Sequence, residues 1–241
     1  MTPDPALRER LADVDARITD AARAAGRDPA ALTRIVVTKF HPARLVADLA
    51  ALGVTDVGEN RQQELTGKRA ELPNLEGVRW HFIGQVQTKK ARAVRAASDC
   101  VHSVDRERLA DALHGAPPVR TGVDDVGAQA TPLDVFLQVN LTDDPARGGV
   151  PPAGAEALAA HVAAHCSSLR VRGVMAVAPL AQAPAAAFER LRLAADAVRR
   201  VVPDAVWMSA GMSGDFVEAI AAGATHLRIG TAITGPRPGR R

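Results

Sequence analysis

A chain of 241 residues with 47% apolar and 24% charged side chains is long enough to bury a substantial core, and its make-up is that of a globular protein rather than a disordered or fibrous one. The formal net charge is +3, but Arg237, Arg240 and Arg241 all lie in the last five residues. The body is therefore neutral, and the basic balance belongs to a tail over 236–241 and not to a nucleic-acid-binding face, a reading that 3% aromatic content with no Tyr reinforces by excluding a base-stacking platform.

Leu7, Leu11, Val14, Ile18 and Ala21 recur at spacings of three and four, which predicts an amphipathic helix over 5–25 ended at Gly26. From there the period alternates. Ile35-Val36-Val37 reads as a strand before a helix over 43–52, and 54–57 as a strand before a helix over 61–71. Strands over 79–83, 100–104, 133–140, 169–175 and 206–208 precede helices over 89–97, 106–114, 155–165, 184–202 and 214–222. A last strand over 226–229 precedes the C-terminal segment. Eight strand–helix units in a chain of this length predict an α/β fold, a closed (β/α)8 TIM barrel with an extra N-terminal helix. The alternative is an open doubly wound sheet, but the residues after Val37 are Thr38-Lys39-Phe40-His41-Pro42 and not a G-x-G-x-x-G turn. The stretch over 116–132 has no hydrophobic period and reads as a mobile loop. With no other linker in sight, residues 1–241 are expected to form a single domain.

Two cysteines, Cys100 and Cys166, are too few for a disulfide framework or a metal knuckle. The first residues lack a basic segment followed by an apolar run, and no stretch approaches the roughly 20 apolar residues of a membrane span. The expected location is cytoplasmic.

In a βα barrel, chemistry sits at the C-terminal ends of the strands. Those ends carry Lys39, Glu59-Asn60, Gly84, Ser103, Asn140, Met175, Ser209-Ala210-Gly211 and Arg228-Ile229-Gly230-Thr231. Lys39 stands out because the chain has only four lysines, the others being Lys68, Lys89 and Lys90. A partly desolvated lysine lowers its pKa and attacks carbonyls to form a Schiff base, which arginine cannot do; the plainer reading is a strand-end lysine reaching into solvent. Gly230-Thr231 after the eighth strand has the place and composition of a phosphate-binding turn. Ser213, expected at the start of the next helix, either adds its hydroxyl to that anion or is a simple helix cap. Together these features suggest an aldehyde or ketone that carries a phosphate. His161 and His165 have helical i,i+4 spacing compatible with zinc, but without a third ligand in sequence they read as a solvated helix face. Glu59 is either a site carboxylate or a charge paired within the barrel.

Val37-Thr38-Lys39, Gly58-Glu59-Asn60 with Gln63-Glu64, Trp80-His81-Phe82-Ile83-Gly84, Gln138-Val139-Asn140, Arg172-Gly173-Val174-Met175, Gly211-Met212-Ser213 with Asp215, and Arg228-Ile229-Gly230-Thr231 occur in the order found in the pyridoxal phosphate homeostasis protein family (YggS/PROSC type), which this chain resembles from about Leu7 to Gly235. The resemblance implies the barrel of the alanine racemase N-terminal domain, fold type III of pyridoxal phosphate proteins. It implies further that Lys39 holds pyridoxal 5′-phosphate covalently as a Schiff base, that Arg228 faces the pyridine nitrogen, and that Ser213, Gly230 and Thr231 hold the phosphate. Asn60, Met175 and Ser209 match positions that line the pocket. The chain departs from the family pattern at Lys89-Lys90, in the length of the 116–132 loop, and at Ala210, where a larger apolar residue is usual.

The function that the resemblance implies is a non-catalytic one, intracellular vitamin B6 homeostasis; a monomer is expected, with pyridoxal phosphate-dependent apoenzymes as the expected recipients. The alternative is an amino-acid racemase or decarboxylase using the same cofactor. Racemases of this fold take a second base, a Tyr, from an additional domain, and this chain has no Tyr. A class I aldolase is a more remote reading, since its lysine sits later in the barrel. No metal, nucleic acid or membrane partner is expected.

Overall fold

In a computed structural model that describes residues 3–117 and 131–238, eight parallel strands close in sequence order, the last pairing with the first. The helix α1 (Pro5–Ala24) comes first; Asp4 caps it by accepting from the Ala6 N–H, and it buries Leu7, Leu11, Val14, Ile18 and Ala22. The barrel then runs β1 (Thr33–Val37), α2 (Ala43–Ala51), β2 (Asp56–Glu59), α3 (Gln62–Glu71), β3 (Arg79–Phe82), α4 (Ala91–Ala97), β4 (Cys100–Val104), α5 (Glu107–His114), β5 (Leu133–Gln138), α6 (Ala155–His165), β6 (Leu169–Met175), α7 (Pro184–Val201), β7 (Trp207–Ser209), α8 (Phe216–Ala221), β8 (His226–Ile229) and α9 (Thr231–Thr234). The closed barrel and the N-terminal helix agree with the sequence expectation. Most of the 116–132 stretch, and the end of the basic tail, lie outside the described residues. Among the described residues no helix is long and apolar enough to cross a membrane.

The strands obey a period of two that decides what the barrel contains. One set of side chains, including Val36, Val57, Trp80, Phe82, Val101, Val135, Leu137, Val174, Met208, Leu227 and Ile229, joins the helices in one apolar core. The other set is largely polar: His81, His102, Ser209, His226 and Arg228 are buried, with Cys100, Phe136 and Met175 packed among themselves as a small second cluster. A barrel filled mainly by branched apolar layers would not need these groups.

The boundaries differ from expectation in informative places. The second strand is Asp56–Glu59 rather than 54–57: it continues through Gly58, a poor strand former, at whose position a Cβ would meet Ile35 Cγ2 at 3.0 Å. Gly173 marks a register shift between β5 and β6; a Cβ at its position would lie 1.7 Å from the Trp207 carbonyl oxygen, so no larger residue fits. The predicted helix over 89–97 divides into a 3-10 turn, Thr88–Lys90, and α4. The eighth helix starts later than expected, at Phe216, after a turn that contains Ser213.

Candidate functional site

The corner after β1 carries the lysine. Phe40, the next residue, has φ 69°, a left-handed conformation that costs a bulky residue on the order of 1–3 kcal/mol and must be imposed by its surroundings. Those surroundings are specific. The Phe40 N–H donates to Glu64 Oε2 at 2.7 Å, and its ring lies 4.9 Å from the Arg61 guanidinium and 4.3 Å from that of Arg237. Beneath it, the Thr38 hydroxyl donates to Glu59 Oε1 at 2.5 Å, and Lys68 Nζ donates to the same oxygen at 2.5 Å and to the Thr38 carbonyl at 2.8 Å. Glu59 is thus a buried charge paired within the barrel wall. Burial raises its pKa against the bonds from Lys68 and Thr38.

Lys39 sits in this braced corner, half-buried. Burial lowers the pKa of its amine, Arg237 lowers it further, and Glu64 and Glu59 oppose them. The net effect enlarges the neutral, nucleophilic fraction near neutral pH.

The neighbouring strand supplies the arginine. Arg228 on β8 is in register with Ile35 on β1 and is 4% exposed. Burial brings its pKa down to about 10 against the pull of Asp215, so it remains charged at neutral pH. Its Nη1 donates to Ser209 Oγ at 2.6 Å and its Nη2 to the Ala176 carbonyl at 2.8 Å. A guanidinium has five N–H donors, so these bonds leave capacity for a further acceptor. Ser209 Oγ is also 2.9 Å from His102 Nδ1, and His102 Nε2 is 2.9 Å from His81 Nδ1. Sequence reasoning had not singled out these two histidines. The available signal was the alternation in Arg79-Trp80-His81-Phe82, which puts His81 opposite in face to two aromatic core residues.

The other expected site residues lie at or just after strand ends. Gly230 and Thr231 leave β8, with Thr231 opening α9. Ser213 lies in the turn between β7 and α8, two residues before the N-cap residue Asp215, whose Oδ1 accepts from the Met212 N–H at 2.6 Å; Ser213 is therefore not the first residue of that helix, nor its cap. Asn60 is exposed after β2, and its carbonyl oxygen lies 2.0 Å from where a Cβ on Gly84 would be, so the β2 and β3 turns require glycine there. Met175 is buried with Cys100 and Phe136 in a small apolar cluster. Ser209, fully buried, engages Arg228 and His102. Ala210 is also fully buried. Away from this end, His161 Nε2 lies 2.7 Å from Asp111 Oδ1, an interhelical contact between α6 and α5.

The fold is a closed parallel (β/α)8 barrel, with a half-buried lysine, a buried charged arginine and a glycine–threonine turn gathered at the carboxyl ends of the adjoining strands β1 and β8. Residues 11–238 match the alanine racemase N-terminal domain. A pyridoxal phosphate homeostasis protein of Pseudomonas aeruginosa is 42% identical over 96% of this chain and 96% of its own length, and one of Mycobacterium leprae is 39% identical over 95% and 92%. The structure of PipY from Synechococcus elongatus with PLP bound superposes with a TM-score of 0.74 at 30% identity, covering 94% of this chain and 99% of that one. The chain belongs to the pyridoxal phosphate homeostasis proteins, within the alanine racemase N-terminal domain family.

Proposed function

We propose that this protein binds pyridoxal 5′-phosphate, holds it covalently on Lys39 and serves intracellular vitamin B6 homeostasis without catalysing amino-acid chemistry. The observation that carries the reading is the braced corner at Lys39: a half-buried amine of lowered pKa, one strand away from a buried arginine. Lys39 would supply the amine for a C=N bond to the aldehyde carbon, with the carbonyl oxygen released as water. Arg228 bonds to the pyridine nitrogen; Ser213, Gly230 and Thr231 hold the phosphate; Asn60, Met175 and Ser209 border the pocket. The whole chain acts as one cofactor-holding domain, as a cytoplasmic monomer that passes its cargo to cofactor-dependent apoenzymes. The test is the absorption spectrum of the purified protein before and after borohydride reduction, followed by peptide mapping. A reduced adduct on Lys39 is expected; an adduct mainly on Lys68, Lys89 or Lys90 refutes the assignment.

The phosphate turns give a second measurement. Ser213→Ala and Thr231→Ala each remove a hydrogen bond to a charged acceptor, worth on the order of 1.5–3 kcal/mol, so affinity for the phosphorylated vitamer is expected to fall roughly tenfold or more. Pyridoxal without phosphate is expected to bind poorly to the wild type and to be little affected by either change. Equal binding of the two vitamers would remove the phosphate role.

The non-catalytic part rests on Arg228 and on the absence of Tyr from the chain. The cofactor supplies an electron sink that is strongest when its ring nitrogen is protonated and paired with a carboxylate. A guanidinium only donates, so beside that nitrogen it favours the unprotonated ring. With no Tyr as second acid/base, sustained turnover is not expected. Incubating the loaded protein with L- and D-alanine in deuterated water is expected to give no progressive Cα deuteration; many turnovers, abolished by Lys39→Ala, would restore the racemase reading.

A further inference from the structure

Four hydrogen bonds join five side chains through the barrel interior. Arg228 Nη1 lies 2.6 Å from Ser209 Oγ, which lies 2.9 Å from His102 Nδ1. His102 Nε2 lies 2.9 Å from His81 Nδ1, and His81 Nε2 lies 2.9 Å from Asp56 Oδ1. Asp56 is the first residue of β2 and Ser209 the last of β7, so the line runs from the amino-terminal end of the barrel to the carboxyl-terminal end, where Lys39 sits. Both histidines and Ser209 are fully buried.

The chemistry at the two ends sets the direction of every bond. A carboxylate only accepts, so His81 Nε2 carries a proton. Burial depresses the pKa of both imidazoles, that of His102 most strongly, so each is neutral with one N–H. His81 Nδ1 is then a bare acceptor and His102 Nε2 donates to it. His102 Nδ1 is bare in turn and accepts from the Ser209 hydroxyl, whose oxygen accepts from Arg228, a group that only donates. All four bonds point one way, from a buried cation to a carboxylate, and such aligned chains polarise and strengthen one another. The Asp56 end is anchored as well: the Thr55 hydroxyl donates to its second oxygen at 2.7 Å.

We propose that Asp56, His81 and His102 are positioning residues for Arg228, forming a one-directional relay that couples it to a remote carboxylate and holds the guanidinium as an oriented, charged donor toward the cofactor's pyridine nitrogen. This rests on the cofactor reading above. It accounts for polar residues in a barrel interior that packing alone would fill with apolar ones, and for Ser209 bonding to Arg228 and His102. His81, Cys100 and His102 also lie close enough to share a metal ion, but every imidazole nitrogen of the pair already has a partner, and burial raises the Cys100 thiol pKa far above the range in which it becomes a thiolate ligand.

The relay is tested first in cofactor-free protein. Long-range 1H–15N NMR of the imidazoles is expected to show His81 and His102 both neutral and protonated on Nε2; an Nδ1–H tautomer or an imidazolium on either at neutral pH overturns the proposal. The second arm uses cofactor labelled with 15N at the ring. His102→Leu breaks the chain, so affinity is expected to fall about tenfold, as for loss of a bond that braces a charged group, and the ring nitrogen resonance to move. Asp56→Asn keeps an acceptor and removes the charge at the far end; it decides the matter if His102→Leu fails to fold, and is expected to move the same resonance without displacing the adduct from Lys39. A relay that is merely structural would lower the melting temperature and leave that resonance and the affinity at wild-type values, which overturns the proposal. Zinc uptake lost in His102→Leu would also overturn it. If the wild type forms no reducible adduct, the cofactor reading fails instead; if the adduct forms and the variants match the wild type, the relay alone fails.

Discussion

Replacing Lys39 by Ala is expected to abolish the borohydride-reducible adduct completely while leaving the fold intact. The side chain follows β1 and contributes an amine, not core volume, whereas Phe40, Thr38, Glu59 and Lys68 keep their bonds around the corner. Lys68 offers no substitute nucleophile, because its ammonium is buried between Glu59 and the Thr38 carbonyl. Arg237→Ala gives the pH dependence. Burial and the Arg237 cation both lower the Lys39 pKa, so removing the cation moves it back up and leaves less neutral amine at neutral pH. Adduct formation in Arg237→Ala is therefore expected to be slower than wild type near neutrality and to match it at alkaline pH, where both amines are deprotonated. Rates followed by absorbance across that range check the sign; a faster variant at neutral pH would show that Arg237 does not act on Lys39.

The strand–helix alternation in the sequence was strong enough to predict the closed barrel, and the strands over 100–104, 169–175 and 226–229 agree with the structure to the residue. Lys39 stands out in the sequence because it follows a short apolar strand, whereas the role expected of Arg228 rests on the family motif Arg228-Ile229-Gly230-Thr231. What could not be read was whatever depends on closure. Ser209 and His102 are 107 positions apart and meet only when β7 and β4 face each other across the barrel. Glu59 and Lys68 lie on a strand and on the helix after it, with no shared period to relate them. Phe40 has a positive φ without being Gly, Asn or Asp, so nothing in its type marks the turn. Ser213 looked like a helix start because Ser is a common cap, but Asp215 occupies that position and the hydroxyl is left in the preceding turn.

Lys68→Met is expected to cost about 3–5 kcal/mol near neutral pH, the usual penalty for stranding one member of a buried ion pair. Glu59 is fully buried and its Oε2 already has no hydrogen-bond partner in the structure, so the lost ammonium leaves only the Thr38 hydroxyl to solvate the carboxylate. The sign of the pH dependence follows. Burial raises the Glu59 pKa in the fold above its unfolded value, while Lys68 and Thr38 hold it down. A raised carboxyl contributes stability at acidic pH that is lost as pH climbs through its folded pKa. Without Lys68 that pKa rises further, so the deficit of the variant should be largest at neutral and alkaline pH and shrink as the solution is acidified and Glu59 takes up a proton. Urea unfolding at several pH values measures this, and Glu59→Gln combined with Lys68→Met should recover most of the loss, because the stranded charge is then gone. A deficit that does not change with pH, or a double variant no better than the single, would mean that Lys68 acts through packing of its stem rather than its charge. The same substitution should slow adduct formation on Lys39, since Lys68 Nζ is bonded to the carbonyl of Thr38, the residue directly before it.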